Sequence, residues 1–172
     1  RNKLIVYHSA EVQVIDPTTG KLLWKTKSLA PPLLTDYYLL IQESKNQLVL
    51  LELQTGNIAR KQKIGTIINS IAVNKDMIVA SIWNEKLELD EPYSSVIAMD
   101  IIYGDAFWKR RYNIGTASFP DKVTIKDRTI FVETKDSVRM YNHAGTLLIN
   151  VSKTEVPQPN KTEHTIPYYN II

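Results

Sequence analysis

The nine residues DPTTGKLLW, from Asp16 to Trp24, return at Asp100 as DIIYGDAFW, ending on Trp108. Both copies place an acid, a glycine and a tryptophan at the spacing D-x3-G-x3-W. Between them, Glu52 and Gly56 keep the spacing with Arg60 in the tryptophan's place, and Tyr141, Gly145 and Ile149 form a fainter fourth copy. The four glycines stand 36, 48 and 41 residues apart. A second echo, KIGT at 63–66 and NIGT at 113–116, follows units two and three. Repetition on this scale constrains the fold strongly. A unit of about 40 residues cannot bury its own apolar face, so successive units must stack on one another.

Within each unit the apolar period is two. Short β-rich runs are separated by turn residues: LIVYHS (4–9), VQVID (12–16) and KLLWKTK (21–27), then YYLLIQES (37–44), QLVLLEL (47–53) and NIARKQKI (57–64). INSIAV (68–73), DMIVASIW (76–83), SVIAMD (95–100) and AFWKRRYNI (106–114) follow. KVTI (122–125), RTIFVET (128–134), SVRMY (137–141) and TLLINVS (146–152) complete the series. No segment holds ten capped residues of helical spacing, so the chain is expected to be all-β. About four strands per repeat is the arithmetic of a β-propeller blade.

The run A-x-D-x-x-T-G-x-x-x-W resembles the repeat of PQQ-like (quinoprotein-type) β-propellers. Ala98, Asp100, Gly104 and Trp108 match it, as do Asp16, Thr19, Gly20 and Trp24, with Val14 for the alanine. Thr55 and Gly56 carry unit two, and Gly145 carries unit four. The resemblance implies a glycine that closes the turn before the outermost strand and a tryptophan that packs between blades. Both roles are physically reasonable. Glycine accepts the positive φ of a tight turn, and an indole buries a large area while its N–H seeks an acceptor. WD-type and kelch signatures fit less well.

Four units are about half the seven or eight blades usual in such propellers. Residues 1–153 are therefore expected to form about four four-stranded antiparallel blades, an open part of a larger propeller. The alternative is a small ring closed by the end of the chain. Residues 154–172 hold three of the eight prolines and read as a linker with a possible closing strand, HTIPYYNII. The chain opens at Arg1 without a charged-then-apolar leader, which fits a removed signal or a longer parent.

Composition removes several classes of function. There is no cysteine, so disulfides, thiolate metal sites and cysteine nucleophiles are excluded. Twenty-one Lys and Arg against 18 Asp and Glu give a net charge of +3, too scattered for a nucleic-acid face. No run nears the roughly 18 apolar residues of a membrane helix. His8, His143 and His164 lack zinc spacing. No nucleophile elbow, P-loop or dinucleotide motif occurs. No catalytic residue, metal ligand or cofactor is therefore expected. The sequons at Asn150 and Asn160 occur at chance frequency.

The 48-residue spacing points to an insertion, NEKLELDEPYSS (84–95), between the second and third strands of unit three. In a propeller such connections share a face with the outer-to-inner crossovers. The insertion alternates Glu85, Glu88, Asp90 and Glu91 with Leu87, Leu89 and Tyr93. Trp83, Leu87, Leu89 and Tyr93 are thus candidate partner-contact residues, with a solvated hairpin extension as the alternative. The expected function is a non-catalytic scaffold for protein–protein contact, its partner another protein or the rest of the propeller. Resemblance to outer-membrane assembly lipoproteins and luminal stress sensors implies an extracytoplasmic location. The runner-up is part of a quinone- or sugar-binding enzyme akin to quinoprotein dehydrogenases, which coordinate calcium through Glu, Asn and Asp.

Overall fold

The computed structural model describes residues 3–84, 93–113 and 119–153. These form four antiparallel meanders in chain order. The first sheet holds β1 (Leu4–His8), β2 (Glu11–Ile15) and β3 (Leu22–Lys27). The second holds β4 (Leu33–Leu34), β5 (Tyr38–Ser44), β6 (Gln47–Glu52) and β7 (Ile58–Lys63). The third contains β8 (Ile67–Val73), β9 (Met77–Asn84), β10 (Tyr93–Asp100) and β11 (Ala106–Asn113). The fourth contains β12 (Pro120–Lys126), β13 (Thr129–Thr134), β14 (Ser137–Tyr141) and β15 (Leu147–Ser152). Each of the fourteen strands expected between residues 4 and 152 is present. The two-residue β4 was not foreseen, because it directly follows Pro31 and Pro32, which cannot donate to a ladder.

The repeated motif is a turn followed by a bulge. In blades one to three the acid's N–H and carbonyl close the turn: Asp16 N donates to the Lys21 carbonyl and Gly20 N to the Asp16 carbonyl, as Glu52 and Asp100 do in theirs. The glycines take φ from +69° to +81°, where a Cβ is costly. In blade four the pair is Asn142 N to Thr146 O and Gly145 N to Asn142 O. This turn is one residue shorter, so Asn142, not Tyr141, holds the acid's place. Directly after each turn the outer strand carries one extra residue: Leu23, Ala59, Phe107 or Leu148. Such a bulge re-aims the next side chain. That side chain is Trp24, Arg60, Trp108 or Ile149.

The core lies between sheets rather than within them. Val12 and Val14 of the first sheet meet Leu39, Ile41, Val49 and Leu51 of the second. Leu40, Leu48 and Leu50 meet Ile78, Ala80, Ile82 and Met99 of the third. Met77, Val79, Val96 and Ala98 meet Val123, Ile130, Val132 and Tyr141 of the fourth. Strands buried on both faces, such as β5, β6 and β10, therefore read as continuous apolar runs. In the last of these interfaces Tyr112 and Tyr141 share a buried hydroxyl hydrogen bond of 2.9 Å. Arg110 caps Tyr141 and Arg139 caps Tyr112, each with its guanidinium 5.2 Å from the ring centroid.

Among the described residues each sheet packs only on its neighbours in sequence. The first and fourth do not meet, and the arc is open. Residues 154–172, read as a linker with a possible closing strand, lie outside the described residues.

Candidate interaction surface

One edge of the arc gathers the connections that join second to third strands and outer to inner strands. Backbone hydrogen bonds tie them together. Ser28 N donates to the Ala10 carbonyl at 2.9 Å, Ile64 N to Asn46 at 2.9 Å and Lys153 N to Asp136 at 2.8 Å. Ile68 N reaches across to Lys45 O of the preceding blade at 2.7 Å. These bonds satisfy the crossovers' backbone and leave their side chains for other contacts.

Trp83 sits on this edge at the end of β9, and its carbonyl accepts Thr66 N at 3.0 Å. Its ring meets Phe119 of the next blade, centroids 4.9 Å apart and tilted by 60°. Tyr93 opens β10 beneath Arg111, whose guanidinium lies 3.9 Å from the ring centroid, with the Lys109 ammonium at 5.9 Å. Because Trp83 pairs with Ser94, it shares that residue's face of the sheet; Tyr93, the next residue, faces the other way. The two candidates therefore share an edge but point to opposite sides of blade three. Leu87 and Leu89 lie outside the described residues, as do Ile114–Thr116 of the second IGT turn. Asn84 and residues 93–95 are strand residues, so the insertion proper is 85–92.

Toward the inner side of the same edge a cleft of about 280 Å³ opens between blades two and three, bounded by Pro31, Leu33, Gln42, Ile68, Asn69 and Ile71. Among the described residues no titratable side chain lines it. Its walls offer apolar area and two carboxamides, suited to seating an apolar side chain and unsuited to moving protons. A second hollow runs along β4, β8 and β12, with Leu34, Val73 and Ile125 in its wall. Sequence reasoning missed these inner residues, since the short β4 and the crossovers carry no periodic signal. It also missed Phe119.

The remaining candidates occupy the repeat. Asp16 accepts Thr18 N at 2.8 Å, and this hydrogen bond holds its carboxyl below the ordinary range. Asp100 likewise accepts Ile102 N and Tyr103 N. Trp24 donates Nε1–H to the Leu53 carbonyl at 3.2 Å, and Trp108 to the His143 carbonyl at 3.0 Å. Both indoles are part-buried rather than fully enclosed. Arg60, in the tryptophan's place, donates Nη1–H to the Asp100 carbonyl at 3.0 Å, while Gln62 donates to Gly104 O at 3.1 Å. The His143 ring rests 4.9 Å from Phe107, and His8 Nδ1 lies 2.8 Å from Ser9 Oγ. His164 lies outside the described residues. No group of three or more His, Asp or Glu is placed to hold a metal among the described residues.

The turn, bulge and inter-sheet core define an arc of a β-propeller. Solved structures of the same fold include BamB from Moraxella catarrhalis, at 15% identity and TM-score 0.59 over 84% of this chain. Quinohemoprotein alcohol dehydrogenase from Comamonas testosteroni matches at 13% identity and TM-score 0.65 over 87% of this chain. The computationally designed Ika8 protein matches at 17% identity and TM-score 0.63 over 86% of this chain. The chain spans 47%, 33% and 44% of those three chains respectively. The fold is thus shared by PQQ-type enzymes and by other propellers. No protein-family model matches the chain, and no curated protein matches it.

Proposed function

We propose that the chain is a non-catalytic propeller scaffold that binds another protein at the edge carrying the crossovers, in an extracytoplasmic compartment. The observation that carries this reading is the cleft beside Leu33 and Ile68, which has no titratable lining among the described residues and whose Ile68 pairs with Ile82 next to Trp83. Trp83 and Tyr93 flank residues 85–92 in the chain, and an apolar segment of a partner seated in the cleft would lie beside Trp83. Rigid sheets presenting long connections are a usual platform for recognition. The compartment follows from the resemblance to outer-membrane assembly lipoproteins and luminal stress sensors.

The test replaces residues 85–92 with Asn-Gly, a two-residue hairpin turn. Thermal unfolding and cross-linking to partners in the native host are then measured. Lost cross-links with an unchanged melting temperature support the reading. Unchanged cross-links defeat it, and a lowered melting temperature assigns the insertion to the fold.

A further inference from the structure

The residue after each bulge faces the next blade: Trp24 covers Gly56, Arg60 covers Gly104 and Trp108 covers Gly145. Strand alternation turns the first and third residues beyond it to the opposite side. In blade one these are Lys25 and Lys27, in blade two Lys61 and Lys63, and in blade three Lys109 and Arg111. All six are exposed. Lys61 and Lys63 stay so with blade one packed on that side, and Lys109 and Arg111 with blade two packed on theirs, so the exposure is a property of interior blades. Basic residues separated by 36 and 48 positions in sequence thus recur at one place in successive blades.

Among the described residues two acids form ion pairs with this band. Glu11 holds Lys25 Nζ at 3.0 Å and stands opposite Lys27 in the ladder, and Glu43 holds Lys61 Nζ at 2.6 Å. In blade three the Tyr93 ring lies beneath Arg111 and Lys109 instead. Leaving Arg111 aside, five lysines stand against two acids, an excess equal to the whole chain's net charge of +3. Charge that is scattered along the sequence is gathered by the fold. Strands β4, β8 and β12 line one hollow together, which puts the opposite sheet edges, β3, β7 and β11, on the convex side of the arc. A planar bilayer meets a convex rim at one or two strands, whereas a flexible polymer can follow all three. Single-stranded nucleic acid needs open rings on which its bases stack, and the face of Tyr93 is taken by Arg111. Lysine ammonium groups are mobile point charges, suited to anionic groups that arrive in no fixed orientation.

We propose that the outer strands of blades one to three form a docking band for a flexible acidic polysaccharide, whose sulfate or carboxylate groups lie against Lys25, Lys27, Lys61, Lys63 and Lys109. Such polymers are extracytoplasmic, so the biological role rests on the compartment proposed above, while binding in solution does not.

Calorimetric titration of the full chain with a heparin dodecasaccharide, which carries both groups, tests it. Binding should appear at low salt and weaken steadily between about 50 and 200 mM sodium chloride, as charge-driven association does. Lys61→Glu combined with Lys63→Glu should lower affinity by about tenfold or more, because like charges then face the polymer. Lys126→Glu with Lys135→Glu makes the same charge change off the band and should lower it by less than about threefold. Lys63→Glu alone, which breaks no ion pair among the described residues, should still cost about threefold and serves if the double variant melts early. No binding at about 50 mM salt overturns the proposal. So does an equal loss in the two double variants, which would make net charge the cause. Tighter binding to phosphatidylglycerol vesicles, or to a thymidine oligonucleotide of equal charge, also overturns it and assigns the band to lipid or nucleic acid.

Discussion

The five-membered ring of the Trp24 indole lies against the bare Cα of Gly56, and its N–H reaches the Leu53 carbonyl three residues earlier in the same turn. Each residue explains the other. The turn needs a glycine for its φ of +75°, and the indole needs the space that glycine leaves. Motif spacing and inter-blade packing are one constraint.

Gly56→Ala and Gly20→Ala separate the two halves of that constraint. Both incur the left-handed backbone cost of about 1–2 kcal/mol. Only Gly56→Ala also drives a methyl into Trp24, adding about 1–3 kcal/mol of overpacking. Urea unfolding should place Gly56→Ala clearly below Gly20→Ala. Equal losses would mean the contact contributes nothing.

Arg60 offers a second comparison. Its guanidinium does at Gly104 what the indoles do at Gly56 and Gly145, although burial lowers its pKa and Gln62 Oε1 has no hydrogen-bond partner among the described residues. Arg60→Trp should therefore stay within about 1 kcal/mol of the parent, since it restores the repeat's own solution. Trp24→Ala and Trp108→Ala should each cost roughly 2–4 kcal/mol, toward the lower part of the range for large aromatics because both rings are part-buried. Chemical denaturation of the three variants checks the order.

Alkaline pH should weaken the third interface. Burial, and then the hydrogen bond to Tyr141, push the Tyr112 hydroxyl well above the ordinary value of 10.0. A raised folded value means the stabilisation is complete below pH 10 and drains away as pH climbs past it, because the unfolded chain then ionises more readily. Absorbance at the phenolate band should show Tyr112 titrating only as the protein unfolds. In Tyr112→Phe, stability should fall at neutral pH, where the Tyr141 hydroxyl loses its partner, and its decline above pH 10 should be shallower. An unaltered slope would sink this assignment.

The Glu133–Lys153 pair lies at 2.8 Å between half-exposed side chains. The lysine's hydrogen bond lowers the carboxyl's pKa, so any support is present at neutral pH and lost on acidification. Glu133→Gln should change stability by less than about 1 kcal/mol, as for surface pairs generally. A larger loss, seen by thermal unfolding, would show the pair to be structural.

Most of the fold was legible because the glycines, acids and tryptophans repeat at fixed spacing and the strands alternate or run apolar as two-sided burial requires. Arg60 was visible as a deviation, but its role was not, since only the coordinates show a guanidinium reaching a carbonyl 40 residues away. Asn142 was misplaced by one position because a shorter turn shifts the register without changing the glycine. The candidate surface was less legible. Trp83 and Tyr93 sit near the predicted edge, yet strand parity sends them to opposite faces. Pro31, Leu33 and Ile71 line a cleft assembled from separate blades, which no local pattern announces.

Placing the core between the sheets also sets the order in which the molecule comes apart. Among the described residues the two middle sheets are held from both sides and the terminal two from one side only. In a linear stack each unit's opening free energy is set by its own stability and its neighbours' grip. Amide hydrogens of β1 to β3 and β12 to β15 should exchange before those of β5, β6, β9 and β10. The molecule frays like a deck of cards from its outer faces, and whatever covers those faces governs its lifetime.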